Sequence, residues 1–283
     1  MVHYTTMING IPVHAQYTEE SVQEIFLPLL CRLTAMQRKK NGRILAMLAA
    51  PPGAGKSTLA GFLQMLARYV SEREDPPHSG EEILQKFMAM DMAGSSLSLP
   101  SGLVKNNLDI KPVTVIGMDG FHRYQEDLLA HKTVRRGREI SLVEIKGAPM
   151  TFDLPALTER IRQVAAGEAC GWPEYNRLLH NPVENAITVR GDIVLLEGNY
   201  LLMDRDGWCD LAGFADYTIR ITADEQMLKK RLVERKISSG ADPQAALHFV
   251  ESSDLENVRE CLMHTRKADL NLVADEHGAY HKV

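Results

Sequence analysis

The stretch AAPPGAGKSTLAGFL at residues 49–63 constrains the fold more than any other part of the chain. It matches the phosphate-loop consensus G-x-x-x-x-G-K-[ST] at Gly55, Lys56 and Ser57, while Ala50 stands in place of the first glycine. The apolar run RILAML precedes it and the helical pattern TLAGFLQMLARYV follows it. Because the motif requires a strand before it and a helix after it, this context favours a nucleotide site over a chance glycine turn.

The chemistry of such a loop explains its composition. Backbone N–H groups must point inward at phosphate oxygens, which requires small residues and left-handed backbone near Gly53 and Gly55. Lys56 is expected to reach the β- and γ-phosphates, Ser57 to ligate Mg²⁺, and the following helix to contribute its N-terminal dipole. The residues predicted to bind the nucleotide here are Pro52, Gly53, Ala54, Gly55, Lys56, Ser57 and Thr58.

Five short apolar stretches read as strands buried on both faces, and helical patterns lie between them. This alternation predicts an α/β fold in which a five-stranded, mainly parallel sheet carries helices on both faces. We interpret residues 1–283 as one domain. The predicted strands are 43–50, 113–118, 192–198, 216–222 and 269–274.

Two further segments accompany this core. Apolar residues at helical spacing predict an N-terminal helix over 18–41, with Ser21 and Glu24 as a capping box and a kink or restart at Pro28. Residues 71–111 are irregular and read as a surface insertion, with one helix in EEILQKFMAMDM. The sequence of the insertion does not indicate a role for it.

Composition excludes several classes of protein. The formal net charge of −5 argues against a nucleic-acid-binding surface, and no apolar run approaches the ~18 residues of a membrane span. The first 20 residues lack a signal-peptide pattern, so we expect a soluble, cytoplasmic protein. The cysteines form no C-x-x-C pair, which favours free thiols; they are Cys31, Cys170, Cys209 and Cys261.

Two acidic residues end predicted strands. Asp119 follows VTVIGM and Glu197 follows DIVLL, and each is followed by glycine. Ligands of open α/β sheets bind at the carboxyl ends of the strands, so both side chains are expected beside the phosphate loop. Either one alone could be a cap or turn residue, but together they indicate phosphoryl transfer, which needs positioning, charge neutralisation and a base.

With these motifs, the chain resembles the phosphoribulokinase/uridine kinase family of P-loop kinases, which includes bacterial-type pantothenate kinases. The motifs occur in family order from residue 43 to about 258. The resemblance implies ATP and Mg²⁺ as cofactors and a small-molecule hydroxyl compound as acceptor. It also implies that Asp119, within MDGFH, is the catalytic base, and that Glu197, within LLEGNYLL, lies near the metal.

The resemblance also points to an acceptor-binding region over 119–190. KGAPMTFDLPAL resembles a substrate-contact stretch in the family and makes Asp153 a candidate for binding substrate hydroxyls. PEYNRLLHNPV resembles a segment that contributes Tyr175 and His180 to the acceptor pocket. His122, beside Asp119, is a further candidate neighbour of the acceptor.

A basic segment resembles the lid of related kinases and is predicted to be helical over 223–245. Thr222 and Glu225 could form its capping box, and Arg231 and Arg235 share one helical face. In related kinases such arginines close over the transferring phosphoryl group, which makes both residues catalytic candidates. A solvated basic face is the alternative for any single residue.

A last segment, ESSDLENV at 251–258, resembles a loop near the nucleotide base in some relatives. It makes Asp254 and Asn257 candidates for nucleotide binding. Members of the family are often dimers or tetramers, so a homo-oligomer such as a dimer is compatible with the resemblance, although no interface pattern in the sequence indicates one.

Three functions remain open at this stage. We expect a kinase that transfers the γ-phosphate of ATP to a sugar, polyol or related metabolite, with pantothenate or a nucleoside as the alternative acceptor. A regulatory P-loop NTPase is the second reading, although the chain lacks the N-K-x-D guanine motif and the L-S-G-G-Q signature. A degenerate nucleotide-binding partner module is the third, and the intact Lys56, Ser57, Asp119 and Glu197 count against it.

Overall fold

The computed structural model describes residues 1–8, 11–72, 96–99, 108–135 and 137–283. The helix predicted inside the insertion, in EEILQKFMAMDM, lies outside the described residues. Within the described ranges, no helix is long and apolar enough to cross a membrane.

Strands and helices alternate along most of the described chain. The strands are β1 (Val2–Ile8), β2 (Ile11–Tyr17), β3 (Ile44–Ala49), β4 (Ser96–Ser98), β5 (Thr114–Gly117), β6 (Lys132–Arg135), β7 (Arg138–Ser141), β8 (Cys170–Asn176), β9 (Asn181–Val189), β10 (Ile193–Gly198), β11 (Tyr217–Ala223), β12 (Leu270–Ala274) and β13 (Tyr280–Lys282). The α-helices are α1 (Glu19–Ser21), α2 (Leu27–Lys40), α3 (Lys56–Ser71), α4 (Gln125–Ala130), α5 (Leu154–Ala165), α6 (Glu225–Ser238), α7 (Pro243–Phe249) and α8 (Leu255–His264).

The central sheet confirms the predicted fold class. Its order is β13-β12-β11-β3-β10-β5, and the five strands from β12 to β5 are parallel to one another. These five correspond to the five predicted strands. The sixth, β13, pairs antiparallel with β12 at the edge and was not predicted, because three residues are too few to show a strand pattern.

The sheet is covered on both faces, as predicted. Along β3, Ile44 and Leu48 enter an apolar core that also contains residues of α2 and α3, whereas Leu45 and Met47 enter a second core that contains residues of α5. Every residue of β3 is buried. This double burial explains why the strand reads as a continuous apolar run instead of an alternation.

The N-terminal helical segment begins and turns differently from the prediction. Thr18, and not Ser21, is the N-cap, and its side chain accepts the Ser21 N–H, so the predicted Ser21–Glu24 capping box is wrong. A π-helical turn over Val22–Phe26 leads into α2, where Pro28 lies in the first turn. Proline is tolerated there because it has no N–H that would need a partner. The backbone stays helical through Phe26 and Leu27, so the chain does not restart at Pro28, and the alternative of a kink stays a prediction.

An N-terminal hairpin was not foreseen. Strands β1 and β2 pair antiparallel, and β4, from the predicted insertion, pairs with the other edge of β1. Tyr17 of this hairpin packs on Phe62 of α3 with ring centroids 4.4 Å apart, and also contacts Phe26 and Tyr280. The hairpin is therefore anchored to the core.

Two local predictions near the C-terminus are also wrong. Asp224 caps α6 by accepting the Gln226 and Met227 N–H groups, while Thr222 lies within β11, so the predicted Thr222–Glu225 box does not form. The predicted loop at 251–258 is helical, with a π-helical turn over Val250–Asp254 leading into α8. The lid segment thus consists of α6, a short turn and α7.

Candidate active site

The phosphate loop has the backbone that its sequence predicts. Gly53 and Gly55 adopt φ of +83° and +82°, which residues with a Cβ rarely adopt, and α3 begins at Lys56. A Cβ added at Gly55 would meet nothing within 4 Å, so the loop leaves open space at this point. Open space at the N-terminus of a helix fits a phosphate chain.

Gly53 has a second constraint. A Cβ at this position would lie 3.1 Å from both the Leu228 carbonyl oxygen and the Leu232 Cγ of α6. The lid helix therefore packs directly on the phosphate loop, and glycine is needed at this contact as well as for the backbone conformation. Ala50, which replaces the first consensus glycine, is buried, so its methyl group fits the core without disturbing the loop.

The Ser57 hydroxyl joins the loop to the neighbouring strand. It donates to Glu197 Oε1 at 2.8 Å, and Glu197, at the end of β10, is 7% exposed. Burial raises the pKa of Glu197, with the Asp119 charge adding to the effect, although Lys56 and the Ser57 hydrogen bond oppose it. Mg²⁺ in phosphoryl-transfer sites binds a few protein oxygens plus substrate phosphates, and this pair of oxygens suits such an ion.

Asp119 lies in a 3-10 turn, Met118–Phe121, directly after β5. Burial alone would raise the pKa of this carboxyl, but nearby basic side chains outweigh burial and the pKa of Asp119 lies below its usual value. Those side chains belong to His122, Lys56, Arg177 and Arg235. Asp119 is therefore a carboxylate at neutral pH, as a proton acceptor must be.

His122 and Tyr175 lie beside this aspartate, and Lys146 lies against Tyr175. The His122 ring lies 5.0 Å from the Tyr175 ring, centroid to centroid, and the His122 Nδ1 is 2.8 Å from the Asp119 carbonyl oxygen. Burial lowers the pKa of His122, although the Asp119 charge and the hydrogen bond to the Asp119 carbonyl oppose this shift. Lys146 Nζ lies 4.9 Å from the centre of the Tyr175 ring.

Asp153 and His180, two further residues predicted to contact the substrate, both lie exposed at the surface. Asp153 is exposed and caps α5, where its Oδ1 accepts the Ala156 N–H. His180 is exposed in the β8–β9 turn with φ of +53°, and its carbonyl oxygen accepts a hydrogen bond from Lys146. Neither residue lines the cavity that contains Asp119. Their predicted contact with substrate remains a prediction.

Two cavities adjoin the phosphate loop. The first, of about 810 Å³, is lined by Ser57, Asp119 and Glu197 together with Tyr175 and Arg177. The second, of about 660 Å³, is lined by residues of the phosphate loop, of α3 and α6, and of the turn between β12 and β13. They include Gly53, Gly55, Thr58, Arg231, Asp275 and His277. Consecutive residues Ser57 and Thr58 thus face different cavities.

The two lid arginines have different surroundings. Arg231 lines the second cavity and donates to the Asp275 carbonyl oxygen at 3.1 Å. Arg235 lies within the electrostatic influence of Asp119, although the residue is exposed at the surface. The shared helical face predicted for them is consistent with α6, but their surroundings differ.

Asp254 and Asn257 are placed by the helical segment that replaces the predicted loop. Burial raises the pKa of Asp254, whose Oδ2 lies 3.6 Å from Lys236 Nζ of the lid helix. Asn257 is buried in α8, where its Nδ2 would lie 3.6 Å from a Cβ added at Gly147. Neither residue lines the second cavity, and their predicted role in nucleotide binding remains a prediction.

Residue-level reasoning missed two basic side chains, Arg177 beside Asp119 and Lys146 beside Tyr175. Arg177 lies in PEYNRLLH and Lys146 begins KGAPMTFD, so both stood inside segments that already pointed to the acceptor. Arg177 lowers the pKa of Asp119, and Lys146 donates to Gln125 Oε1 at 2.8 Å. The positive charges of these two residues, within segments already assigned to the acceptor, were the sequence feature that could have identified them.

The chain is similar to several known proteins. A protein of Escherichia coli K12, named only as uncharacterized protein YggC, is 37% identical over 275 residues, which is 97% of this chain and 96% of its own. A candidate uridine kinase of Schizosaccharomyces pombe is 26% identical over 227 residues, 78% of each chain. The crystal structure of a candidate fructose transport system kinase from Silicibacter sp. TM1040 has a TM-score of 0.63 and 27% identity, and covers 87% of this chain and 98% of its own.

The chain belongs to the phosphoribulokinase/uridine kinase family of P-loop kinases. No protein-family model matches it. Membership makes the protein an ATP-dependent phosphotransferase.

Proposed function

We propose that this kinase transfers the γ-phosphate of ATP to a hydroxyl of a sugar, polyol or related metabolite bound in the first cavity. One observation carries the proposal: Asp119, Ser57 and Glu197 line the same cavity, whereas Thr58 and Arg231 line the other. A triphosphate held along the loop would direct its γ end toward the carboxylates and its nucleoside toward the second cavity.

The chemistry then follows from the positions of the charged groups. Asp119, held ionised by the surrounding basic side chains, accepts the proton of the attacking hydroxyl. Lys56 and Arg235 neutralise charge on the transferring phosphoryl group. When bound, Mg²⁺ would neutralise part of the charge on the phosphates. Ser57 and Glu197 would hold it there.

The lining of the first cavity supports a hydroxyl-rich acceptor. Glu174 and Asn176 add polar groups beside Asp119 and Tyr175, and such groups pair readily with several hydroxyls at once. The similarity to the candidate fructose transport system kinase supports a sugar. Pantothenate remains an alternative acceptor, because the segments around Asp153 and Tyr175 resemble those of pantothenate kinases as well as those of sugar-kinase-like proteins. A nucleoside is the other alternative, supported by the similarity to the candidate uridine kinase.

An acceptor screen tests the proposal. ADP release would be measured by a coupled assay with MgATP and a panel of ketoses, aldoses, polyols, pantothenate and uridine. We expect a sugar or polyol to raise ADP release well above the acceptor-free rate, and the product to carry the phosphate by mass spectrometry. Stimulation by pantothenate or uridine alone would replace the sugar proposal. No stimulation by any compound would favour the regulatory NTPase reading.

A further inference from the structure

We propose that the N-terminal hairpin is a substrate-specificity element, in which Thr6 and Ile8 of β1 form one wall of the acceptor cavity. This inference rests on the proposed function, since it assumes that the first cavity binds the acceptor. Nothing in the phosphate-loop motif or in the catalytic segments requires such a hairpin.

The position of β1 is the first observation. Tyr4, Thr6 and Ile8 line the first cavity, the same cavity that Ser57 and Asp119 line, and Met7 also reaches it. Alternate residues of a strand point to the same face, so one side of β1 is directed at this cavity. Burial along β1 agrees: Tyr4 and Thr6 are buried, while His3 is exposed.

The second observation is how β1 reaches the helix that begins at the phosphate loop. Ser57, Gly61 and Gln64 lie on one face of α3 and all line the first cavity. A Cβ at Gly61 would lie 2.7 Å from the Tyr4 hydroxyl, so the end of the Tyr4 side chain reaches this face of α3. The strand therefore lies against the helix face that begins at the proposed metal ligand.

The third observation is that the hairpin is held firmly. The Tyr4 and Tyr17 rings both pack on Phe62 of α3. At the other end of the hairpin, the Thr18 N–H donates to the Gly278 carbonyl oxygen at 3.2 Å. A wall with these anchors can discriminate between acceptors by shape, because it does not yield to a poorly fitting one.

The chemistry of the wall suggests what it selects. Thr6 is 8% exposed and carries one hydroxyl. A hydroxyl has one donor and two acceptor sites, so it can bond to an acceptor hydroxyl in addition to a partner within the protein. Ile8, which is half-buried, adds an apolar surface. A hydroxyl followed by an apolar surface along the strand fits a polyhydroxy compound that has one less polar end.

Steady-state kinetics with the acceptor found in the screen provide the test. Thr6→Val keeps the shape and removes the hydroxyl, so the acceptor KM is expected to rise roughly 2- to 10-fold while the ATP KM stays unchanged. Thr6→Ser keeps the hydroxyl and should restore an acceptor KM close to that of the wild type. Ile8→Ala enlarges the cavity and should change the ranking of acceptors in the panel.

Thr5→Val is the matched control, because Thr5 is the adjacent threonine of β1 and bonds to His14 instead of lining the first cavity. It is expected to leave the acceptor KM unchanged. Thermal denaturation checks that each variant folds. An active wild type whose acceptor KM and ranking are unaffected by Thr6→Val and Ile8→Ala would overturn the hairpin proposal alone. A wild type that phosphorylates no panel member would overturn the proposed function, and this inference with it.

Discussion

The Ser57 hydroxyl donates to Glu197 Oε1 at 2.8 Å and so links the phosphate loop to the end of the adjacent strand. Strands β3 and β10 pair in parallel, with Ala49 opposite Gly198, so both side chains emerge at the same edge of the sheet. The contact brings two oxygen ligands suited to Mg²⁺ beside the carboxylate proposed as the base.

Removing either oxygen should weaken metal binding. We expect Ser57→Ala and Glu197→Gln each to raise the Mg²⁺ concentration needed for half-maximal activity by roughly 10- to 100-fold. Activity titrated with Mg²⁺ at saturating ATP measures the effect. Glu174→Gln is the control, since Glu174 lines the same cavity but is exposed. Equal Mg²⁺ requirements in all three variants and the wild type would exclude this pair as the metal site.

Asp119→Asn should separate transfer from binding. Without the carboxylate, kcat is expected to fall by roughly 10²–10⁴-fold, while the affinity for ATP is retained. Asp153→Asn is the comparison, because Asp153 caps α5 and its exchange alters the cap more than the cavity. Stopped assays and ATP binding by calorimetry check both. Normal turnover in Asp119→Asn would remove this residue from the role of base.

The lid arginines should differ in kinetic effect. Arg231 lines the cavity proposed for the nucleoside, so Arg231→Ala is expected chiefly to raise the ATP KM. Arg235 lies near Asp119, so Arg235→Ala should lower kcat by roughly 10²–10³-fold. Lys230→Ala, on the exposed face of α6, is the control for loss of charge. The same KM-to-kcat pattern in both arginine variants would contradict separate roles.

Gly53→Ala tests the contact between the loop and the lid. Its φ of +83° and the 3.1 Å approach to Leu228 both oppose a methyl group. We expect the free energy of unfolding to fall by about 1–2 kcal/mol, and ATP binding to weaken as well. Denaturant unfolding and calorimetry measure these effects. Gly213→Ala, where a Cβ meets nothing within 4 Å, should change neither; an equally stable Gly53→Ala protein would disprove the contact.

Because Glu197 is buried, we expect the free energy of unfolding to depend on pH. Burial raises its pKa in the folded protein, so the folded state keeps this proton to higher pH than the unfolded chain does. The contribution of Glu197 to the free energy of unfolding is therefore full below the unfolded pKa and is lost as the pH rises through the folded pKa. Without nucleotide or Mg²⁺, Glu197→Gln should raise Tm more at pH 7 than at pH 4. A Tm difference independent of pH would refute this.

Local patterns were sufficient for the central sheet and the phosphate loop. The strands at 43–50 and 192–198 read correctly because each is buried on both faces, which leaves a continuous apolar run. Asp119 and Glu197 were found because they directly follow such runs. Capping residues were less predictable, since Thr18 and Ser21 are both suitable and only the path of the preceding chain decides between them.

The sequence by itself determined that this chain is a P-loop kinase, because the loop, its flanking strand and helix, and the two acidic strand ends are all contiguous patterns. Only the tertiary structure decided which side chains share a cavity. Thr6 and Asp119 are far apart in the chain, yet both line the first cavity, while Asp153, in a promising motif, caps a helix. Residues from distant segments become neighbours because helices and strands pack on one another, and the residue pattern within one segment does not contain this information.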